Sequence, residues 1–591
     1  MKLTLAIMVL LMMMTTGIAA EMPKKSAAEE KLEAIIEREW EWGLKEFPTA
    51  ATWVGDPRYQ DQWPDSSAEA IARRNAHERV LLAELEGIER EKLSSEARLN
   101  YDLMLRNARL AVEGQKFPAE LVPLNQMGGV HQDVADLLGM QPKRTVKDYE
   151  NVISRLRGVA TLIDQDIALM RKGVERGVTP PRITLREVDG LIGSLIVEDP
   201  RQSSIYEIAF SNMPSSIPEA EQNRLREEAA KVISESVVPA YRKLREFFSR
   251  EYYPRTRETI ALSEVADGRL WYDHQIKVMT TTELTADEIH AIGLREVARI
   301  RGEMEKIRSE TGFEGTLLEF FEFLRTDPRF FYTDRNDLLV GYRDIAKRID
   351  PELTRMFGKL PRLTYGVIAV PEYSEKTQTT AYYQPGSLEA RRPGYFYANT
   401  WDLPARPKWE MEALTVHEAV PGHHLQIALA QELENVPEFR RHALYTAYVE
   451  GWGLYSESLG PELGLYKDPY SKFGQLTYEM WRAIRLVVDT GMHAKGWSRD
   501  RAIQYFRENA GKSEHDIRVE IDRYIVWPGQ ALAYKLGELK IKELRALSEK
   551  ELGERFDIRS FHDMILGAGP LPLSILEQRA KEWIAEVKAT R

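Results

Sequence analysis

The sequence predicts a mainly α-helical protein, a large two-lobed body of many helices with a small β-sheet directly before a histidine-rich helix. Three observations predict this. Apolar residues recur at three- and four-residue spacing over most of the 591 residues, which is the period of helices buried on one face. A short stretch, residues 363–400, is rich in Tyr, Thr and Val and interrupted by Gly and Pro, as strands and turns are. Helical composition returns at Trp409 and continues to the end of the chain.

The first twenty residues have the layout of a secretory signal peptide. Lys2 precedes an apolar run from Leu5 to Met14, and small residues follow at Gly17, Ala19 and Ala20. The run is too short for a bilayer, which needs about 20 apolar residues. A short uncleaved anchor is the alternative. We therefore expect an exported protein, periplasmic or secreted, without a stable membrane span in the mature chain.

The overall composition excludes several classes of function. The chain contains no cysteine, so disulfides, thiolate ligands and a cysteine nucleophile are excluded. Any metal site must therefore use His, Asp and Glu. The formal net charge is -11, with acidic and basic residues mixed along the chain, which argues against a nucleic-acid partner or an anionic membrane surface. None of these properties predicts an oligomeric state.

The helical pattern divides into two predicted lobes. Residues 21–260 form an N-terminal helical lobe with long amphipathic segments such as Ala28 to Leu44 and Val146 to Met170. Residues 261–591 form the second, catalytic lobe. It begins with helices, continues through the small sheet and reaches the predicted metal-site helices at about 409–460.

The octet HEAVPGHH, residues 417–424, carries the strongest indication of chemistry. It contains three of the eleven histidines in the chain, and neutral imidazole is a good zinc ligand. In the motif H-E-x-x-H, two histidines on one helix face bind zinc and the Glu acts as general base. We therefore predict that His417 binds one zinc ion and that Glu418 takes a proton from the metal-activated water.

The second histidine ligand is less clear, because Pro421 occupies the position of the second His in that motif. At about 100° per residue, His423 would lie roughly 120° from the face of His417 in a regular helix. His424 would return to that face, but two turns away. A widened, π-like turn at Pro421 and Gly422 would bring His423 back. The prediction is His423, with His424 as the alternative.

The third ligand should be a side chain on a neighbouring helix, since catalytic zinc uses three protein ligands and an open position. The segment Tyr445 to Leu459 is predicted to be that helix. Glu450 and Glu457 lie seven residues apart and therefore on one face. We predict Glu450 as the ligand and Glu457 as the hydrogen-bond partner of a ligating imidazole. Gly451 and Gly453 would let the two backbones approach each other.

Five motifs together resemble the bacterial family catalogued as domain of unknown function 885. They are EFPTAATWVGDPRY, HEAVPGHHLQ, YVEGWGLYSE, RLVVDTGMH and RYIVWPGQALAYKLG. The resemblance spans essentially the mature chain. That family is similar to the gluzincin metallopeptidases, whose zinc is held by two His and one Glu. The resemblance implies a zincin-like fold and a metallopeptidase-like activity, although the Pro-Gly insertion in the octet departs from H-E-x-x-H.

In gluzincin-like sites an edge strand pairs with an extended peptide and sets it across the metal. Residues 394–399 are predicted to be that strand, with Tyr395 and Tyr397 as substrate contacts. Tyr383 and Gln384 are expected on the partner strand. A sheet that only packs on the helices is the alternative.

Donors beside the metal would stabilise the charge that develops on the attacked carbonyl oxygen. The candidates lie in the downstream motifs and are His493, Tyr524, Tyr534, Arg485 and Arg523. Arg485 and Asp489 are four residues apart and could form a salt bridge that braces the site. Arg523 or Lys535 could instead bind a terminal carboxylate of the substrate.

Together these predictions describe a zinc peptidase. His417, His423 and Glu450 would hold one zinc ion, and Glu418 would serve as general base. A long helical lobe over the cleft favours short or extended peptides as substrates. Two alternatives remain: a zinc amide or ester hydrolase that acts on small molecules, and a non-catalytic peptide-binding protein on the same fold.

Overall fold

The structure is a computed structural model that describes residues 25–372, 375, 378–388 and 391–590. The predicted signal peptide, residues 1–20, lies outside the described residues. Helix accounts for 69% of the protein and strand for 4%, so the prediction of a mainly helical protein with a small sheet is confirmed. No helix in the described part of the chain is both long and apolar enough to cross a membrane.

The N-terminal helices begin at the polar caps that their sequences supply. Ser26 and Glu29 form a reciprocal capping box at the first helix, and Thr145 and Asp148 form another at the longest. The longest helix stops at Gly177, whose φ of 71° few other residues adopt. These helices are α1 (Ala27–Glu46), α2 (Pro48–Val54), α3 (Ala68–Glu86), α4 (Ser95–Gly114), α5 (Val130–Met140), α6 (Val146–Arg176), α7 (Val188–Ser194), α8 (Ser204–Phe210), α9 (Glu219–Val232) and α10 (Val238–Phe247).

The rest of the chain is helical on both sides of the sheet. Before the sheet lie α11 (Gly268–Thr280), α12 (Ala286–Glu310), α13 (Leu317–Thr326), α14 (Arg335–Ile349) and α15 (Leu353–Met356). After it come α16 (Met411–Glu418), α17 (His423–Gln431), α18 (Glu438–Arg441), α19 (Thr446–Glu457), α20 (Pro469–Ala494), α21 (Arg499–Asn509), α22 (Glu514–Val526), α23 (Ala533–Leu552), α24 (Ile558–Leu566) and α25 (Leu573–Ala589). Thr285 and Glu288 form a reciprocal capping box at the start of α12.

The sheet has three strands in the order β1, β3, β2, where β1 is Tyr365–Ala369, β2 is Ala381–Gln384 and β3 is Gly394–Ala398. The middle strand runs parallel to β1 and antiparallel to β2. The prediction that residues 394–399 pair with a substrate is therefore wrong, because both edges of β3 are already hydrogen-bonded. Among the described strands, β2 is an edge, so an added peptide strand would have to pair there.

Apolar clusters show how the two parts of the chain hold together. One cluster runs from Leu124 to Tyr252 and is formed by the N-terminal part alone. Another joins Phe117 and Leu169 of that part to Leu486 and Leu532 of the C-terminal part. The N-terminal helices thus have their own core and an apolar contact with the rest. The lobe boundary near residue 260 stays a prediction.

Two helices near the octet touch at backbone distance. A Cβ added to Gly537 on α23 would lie 1.8 Å from the carbonyl oxygen of Ala447 on α19, and one added to Gly451 would lie 2.5 Å from the Cα of Gly537. Only glycine permits this approach. The glycine contact fixes α19, which carries Glu450 and Glu457, against the C-terminal helices.

Candidate metal centre

The octet forms a break between two helices. α16 ends at Glu418 and α17 begins at His423. Pro421 has no N–H to continue the helix, and a Cβ added to Gly422 would lie 1.9 Å from the carbonyl oxygen of His417. The predicted widening at Pro421 and Gly422 is present, since the His424 N–H donates to the carbonyl five residues back. It is a break rather than a continuous π-like turn, because the backbone leaves helical geometry at Ala419 and Gly422.

Two hydrogen bonds hold this break in place. The backbone N–H of His424 donates to the carbonyl of Ala419 over 3.1 Å. The buried indole of Trp452 on α19 donates to the carbonyl of Pro421 over 2.8 Å. The second bond ties the octet to the helix that carries the predicted third ligand.

The break brings the three predicted ligands together. The Oε2 of Glu450 lies 3.6 Å from the Nε2 of His417 and 3.5 Å from the Nε2 of His423, and one ligand atom from each residue lies within 4.8 Å of the others. In tetrahedral zinc sites, ligand bonds of about 2.0–2.1 Å separate the ligand atoms by about 3.4 Å. Two imidazoles and one carboxylate at these separations fit one divalent cation.

His424 points away from this group. Its Nδ1 accepts a hydrogen bond from the Tyr383 hydroxyl over 2.9 Å, and its Nε2 donates to the carbonyl of Leu363 over 3.1 Å. Burial lowers the pKa of His424 to about 4, so the ring stays neutral. Both ring nitrogens are already bonded, one to β2 and one to the segment just before β1. His423 is therefore the histidine that lies beside His417.

Glu457 holds the ring of His417 from behind. The Nδ1 of His417 donates to the Oε1 of the fully buried Glu457 over 2.8 Å, which directs Nε2 towards Glu450. Gly453 leaves room for this arrangement, because a Cβ there would lie 2.8 Å from the Cε1 of His417. The seven-residue spacing of the two glutamates thus corresponds to one ligand position and one supporting position.

Replacing Glu457 with Gln should weaken metal binding by about 10- to 100-fold, since outer partners of ligating histidines usually contribute that much. The amide still fills the space but removes the charge that orients His417. Competition with a chromophoric zinc chelator measures the change. Glu434→Gln, at an exposed position after α17, is the control, and equal affinities for both variants would contradict this role.

Two carboxylates, Glu450 and Glu457, favour a positive charge at this site; in the metal-free protein that charge is a proton on His417, which a bound metal ion would have to displace. Burial by itself would lower the pKa of His417, but hydrogen bonds to Glu450 and Glu457 raise it to about 9. Burial would raise the pKa of Glu450, yet the bonds from His417 and His423 hold it well below its usual value. The Glu450 carboxylate therefore stays ionised over the physiological range, as a metal ligand must.

A cavity of about 260 Å³ opens beside these residues. Glu418 lies on its wall, next to the ligand that precedes it in the chain. The opposite parts of the wall come from the β2 edge and from α20, α22 and α23. The lining residues are Thr379, Thr380, Ala381, Tyr382, Tyr383, Leu414, His417, Glu418, His423, Glu450, Tyr478, Trp481, Arg482, Arg485, Glu520, Arg523 and Tyr534.

Of the predicted catalytic donors, Tyr534 lies in the cavity and Tyr524 lies behind it. The Tyr534 hydroxyl accepts hydrogen bonds from Arg523 over 3.0 Å and from Gln530 over 3.4 Å. The Tyr524 hydroxyl accepts from Arg485 over 2.8 Å and donates to Glu520 over 2.6 Å. The prediction of Tyr524 as a catalytic donor is therefore wrong, because its hydroxyl braces the wall.

His493 and Asp489 were also predicted at the site, and both lie elsewhere on α20. The fully buried His493 accepts from the Leu262 N–H over 3.0 Å and donates to the Tyr524 carbonyl over 2.9 Å. Asp489 accepts from the Tyr272 hydroxyl over 2.6 Å and from the Gly529 N–H, and burial raises its pKa to about 7. Neither prediction holds, because the groups around each residue already satisfy it.

The expected Arg485–Asp489 salt bridge is absent from the described contacts, and Arg485 pairs with Glu520 over 3.1 Å instead. Lys535, predicted as a possible carboxylate binder, is wholly buried. Its ammonium contacts Glu296 and Glu479 over 3.1 and 2.7 Å and also Glu538. A side chain so enclosed cannot meet a substrate, so that prediction is wrong.

Tyr395 and Tyr397 do not line the cavity either, although both were predicted to contact the substrate. They lie on the middle strand, where Tyr397 stacks on Tyr382 with ring centroids 4.8 Å apart. Tyr383, the remaining tyrosine predicted from the sheet, does line the cavity. The residues of β2, rather than those of β3, face the predicted ligands.

Several cavity residues were missed from the sequence, chiefly Arg482, Glu520 and Trp481. Arg482 lies three residues before Arg485 on the same helix, a spacing that places both on one face. That spacing could have indicated the pair. Glu520 carries no such local signal, because its role depends on how α22 packs against α20.

Two solved structures are similar to this chain, and a family profile matches most of it. A comparison with curated proteins found no match. The crystal structure of the "putative lipoprotein" from Colwellia psychrerythraea is 29% identical, with a TM-score of 0.90, and the match covers 95% of this chain and 100% of that one. A "putative lipoprotein of unknown function" from Shewanella oneidensis, 16% identical with a TM-score of 0.65 over 94% and 99% of the two chains, shows a shared fold.

The profile described as "Bacterial protein of unknown function (DUF885)" matches residues 48–579. This range is most of the chain and includes all four motifs of the C-terminal half. The chain therefore belongs to this bacterial family, DUF885.

Proposed function

We propose that the protein is a zinc-dependent hydrolase that cleaves peptide bonds in short or extended peptides. The observation that carries the proposal is the convergence of His417, His423 and Glu450 in the cavity that Glu418 also lines. Two imidazoles and one carboxylate leave an open position, which distinguishes a catalytic zinc site from a structural one.

A bound zinc ion would supply Lewis acidity and lower the pKa of a coordinated water. The chain supplies the proton transfers. Glu418 is the carboxylate next in sequence to a ligand and on the same cavity wall, so it is placed to take a proton from water and pass it to the leaving amine. Nearly full burial of Glu418 keeps competing solvent away.

Tyr534 is the proposed donor to the developing oxyanion. Its hydroxyl oxygen already accepts hydrogen bonds from Arg523 and Gln530. The hydroxyl proton therefore remains available for a substrate oxygen in the cavity. A donor already in place needs no rearrangement when charge develops, which is the basis of such stabilisation.

The position of β2 favours peptides over other amides and esters. Its residues Ala381–Tyr383 line the cavity, and β2 is an edge strand among the described strands. An extended peptide can pair with such an edge through its backbone. A compact amide or ester would not use this edge.

Export to the cell envelope is part of the proposal. The N-terminal sequence has the layout of a signal peptide, and both similar structures are described as lipoproteins. The sequence itself contains no cysteine to which a lipid could be attached. We therefore propose a periplasmic or secreted protein.

A peptide library tests the proposed activity. Zinc-loaded protein is incubated with the library, and the products are identified by mass spectrometry. We expect cleavage at defined bonds, loss of cleavage after treatment with a strong chelator, and recovery when zinc is returned. If protein with one zinc ion per chain cleaves no peptide, the proposal is wrong, and small amides and esters become the substrates to assay.

A further inference from the structure

We propose that Arg482, Arg485 and Arg523 form a carboxylate subsite in the same cavity, so that the enzyme takes peptides by their free C-terminal end. This inference rests on the proposed peptidase function and names its substrate class. Three conditions must hold. The arginines must outnumber the carboxylates that contact them, and their side chains must be held rigidly. Their distance from the metal ligands must match the length of one or two peptide residues.

The three arginines of the wall outnumber the two carboxylates that contact them, Glu520 and Glu457. Glu520 is the carboxylate between two of the arginines, with its Oε2 3.1 Å from Arg485 and its Oε1 3.6 Å from Arg523. Arg482 lies 3.9 Å from Glu457, whose nearer oxygen already accepts from His417. Three guanidinium groups therefore share two carboxylates, one of which is already bonded to His417.

Some of their hydrogen-bonding capacity is unused. Among the described residues, the Nε of Arg482, the Nη1 of Arg485 and the Nε of Arg523 have no partner. The side chains are only 6%, 3% and 13% exposed, so bulk water does not replace those partners. These three nitrogens have almost no accessible surface, so a ligand in the cavity would meet other nitrogens of the same guanidinium groups. A carboxylate with four lone-pair sites is the ligand that suits several guanidinium groups.

Aromatic rings hold the arginines in fixed orientations. The guanidinium of Arg485 lies 4.3 Å from the ring centre of Tyr534 and 5.0 Å from that of Trp481. Arg482 lies 4.8 Å from the same Trp481 ring. A guanidinium stacked on a ring keeps its edge free for hydrogen bonds in its own plane. The subsite is therefore built before any substrate arrives.

The arginines lie close to the proposed metal ligands, so the terminal carboxylate of a substrate bound there would be close to the cleaved bond. Arg482 lies 3.9 Å from the Glu457 oxygen that accepts from the Nδ1 of His417 over 2.8 Å, so the two side chains are at most about 7 Å apart, the length of about two extended residues. The metal ligands and the arginines line the same cavity, so a carboxylate at the arginines leaves room for one or two residues before the metal. A chain end fits this distance, whereas a long continuation of the peptide does not.

Matched peptides test the inference on the wild-type protein. Each cleaved sequence is prepared with a free C-terminal acid and with a C-terminal amide, and zinc-loaded enzyme is assayed on both. We expect removal of one or two C-terminal residues from the acid, and a kcat/KM about 10- to 100-fold lower for the amide, since a hydrogen-bonded charge contributes about that much. A third peptide has the amide and an Asp at the last position.

The outcomes separate the possible sources of the carboxylate. Equal cleavage of acid and amide would overturn the inference and leave the peptidase function standing. Full recovery by the Asp-amide peptide would overturn the assignment to a chain end, because a side-chain carboxylate would then suffice. No cleavage of any of the three would contradict the peptidase function itself.

Arginine variants locate the subsite. Arg523→Gln should reduce the preference for the acid to near equality, and Arg523→Lys should keep part of it. Arg518→Gln, an exposed position on the same helix, should keep all of it. Zinc content and thermal unfolding are measured for each variant. If Arg523→Gln fails to fold, Arg482→Gln is assayed instead. A folded variant that keeps the full preference for the acid over the amide would overturn the assignment of these arginines to the carboxylate subsite.

Discussion

Glu418→Gln is expected to lower the turnover of a cleaved peptide by about 10²–10⁴-fold, the usual contribution of a general base. Gln has nearly the same shape as Glu but cannot accept a proton. Glu418 is not one of the three proposed ligands, so zinc content should stay at one ion per chain. The measurements are kcat on a peptide found in the library, metal content and thermal unfolding.

The comparison variant for this experiment is Glu434→Gln, which removes one carboxylate from an exposed position and should retain full turnover. A Glu418→Gln protein that holds zinc and keeps wild-type turnover would rule out Glu418 as the base. It would also favour the alternative of a peptide-binding protein without catalysis.

His423→Ala should abolish stoichiometric zinc binding, whereas His424→Phe should retain it. The two residues are neighbours in sequence but serve different partners: His423 lies 3.5 Å from Glu450, and His424 bonds to the sheet. Phe keeps the ring packing of His424 against Tyr365, whose centroid lies 4.6 Å away. The zinc-to-protein ratio after dialysis, measured by plasma mass spectrometry, separates the two.

The opposite pattern, with zinc lost from His424→Phe and kept by His423→Ala, would assign the second ligand to His424. If both variants lose zinc, their thermal unfolding is compared. A His424→Phe protein that is folded but binds no zinc would contradict the assignment of His423 as the second ligand. Activity of each variant should follow its zinc content.

Much of the metal centre could be predicted because its signals are local. His417 and Glu418 lie in a known motif, and the seven-residue spacing of Glu450 and Glu457 places them on one helix face. Periodicity also predicted most of the helical body. These features depend on neighbours within a few turns of the chain.

The remaining features depend on distant contacts. Whether the helix bulges or breaks at Pro421 is decided by Trp452, which holds the carbonyl of that residue from another helix. The edge position of residues 394–399 was predicted wrongly, because residue type does not show that β3 lies between the other two strands. His493 and Tyr524 each share a motif with a cavity residue, yet neither lines the cavity. His493 bonds to backbone groups of Leu262 and Tyr524, and the Tyr524 hydroxyl supports Arg485 and Glu520 from behind.

The glycine contact between α19 and α23 also makes the position of the proposed third ligand depend on the C-terminal helices. Because Gly537 lies directly against the backbone of α19, α23 supports the helix that carries Glu450. A chain that is still being made, or one cut before residue 533, has all three ligands in its sequence but no support for the third. We therefore expect a chain without α23 to lose the proposed metal binding, so that zinc content would report whether the C-terminal helices are in place.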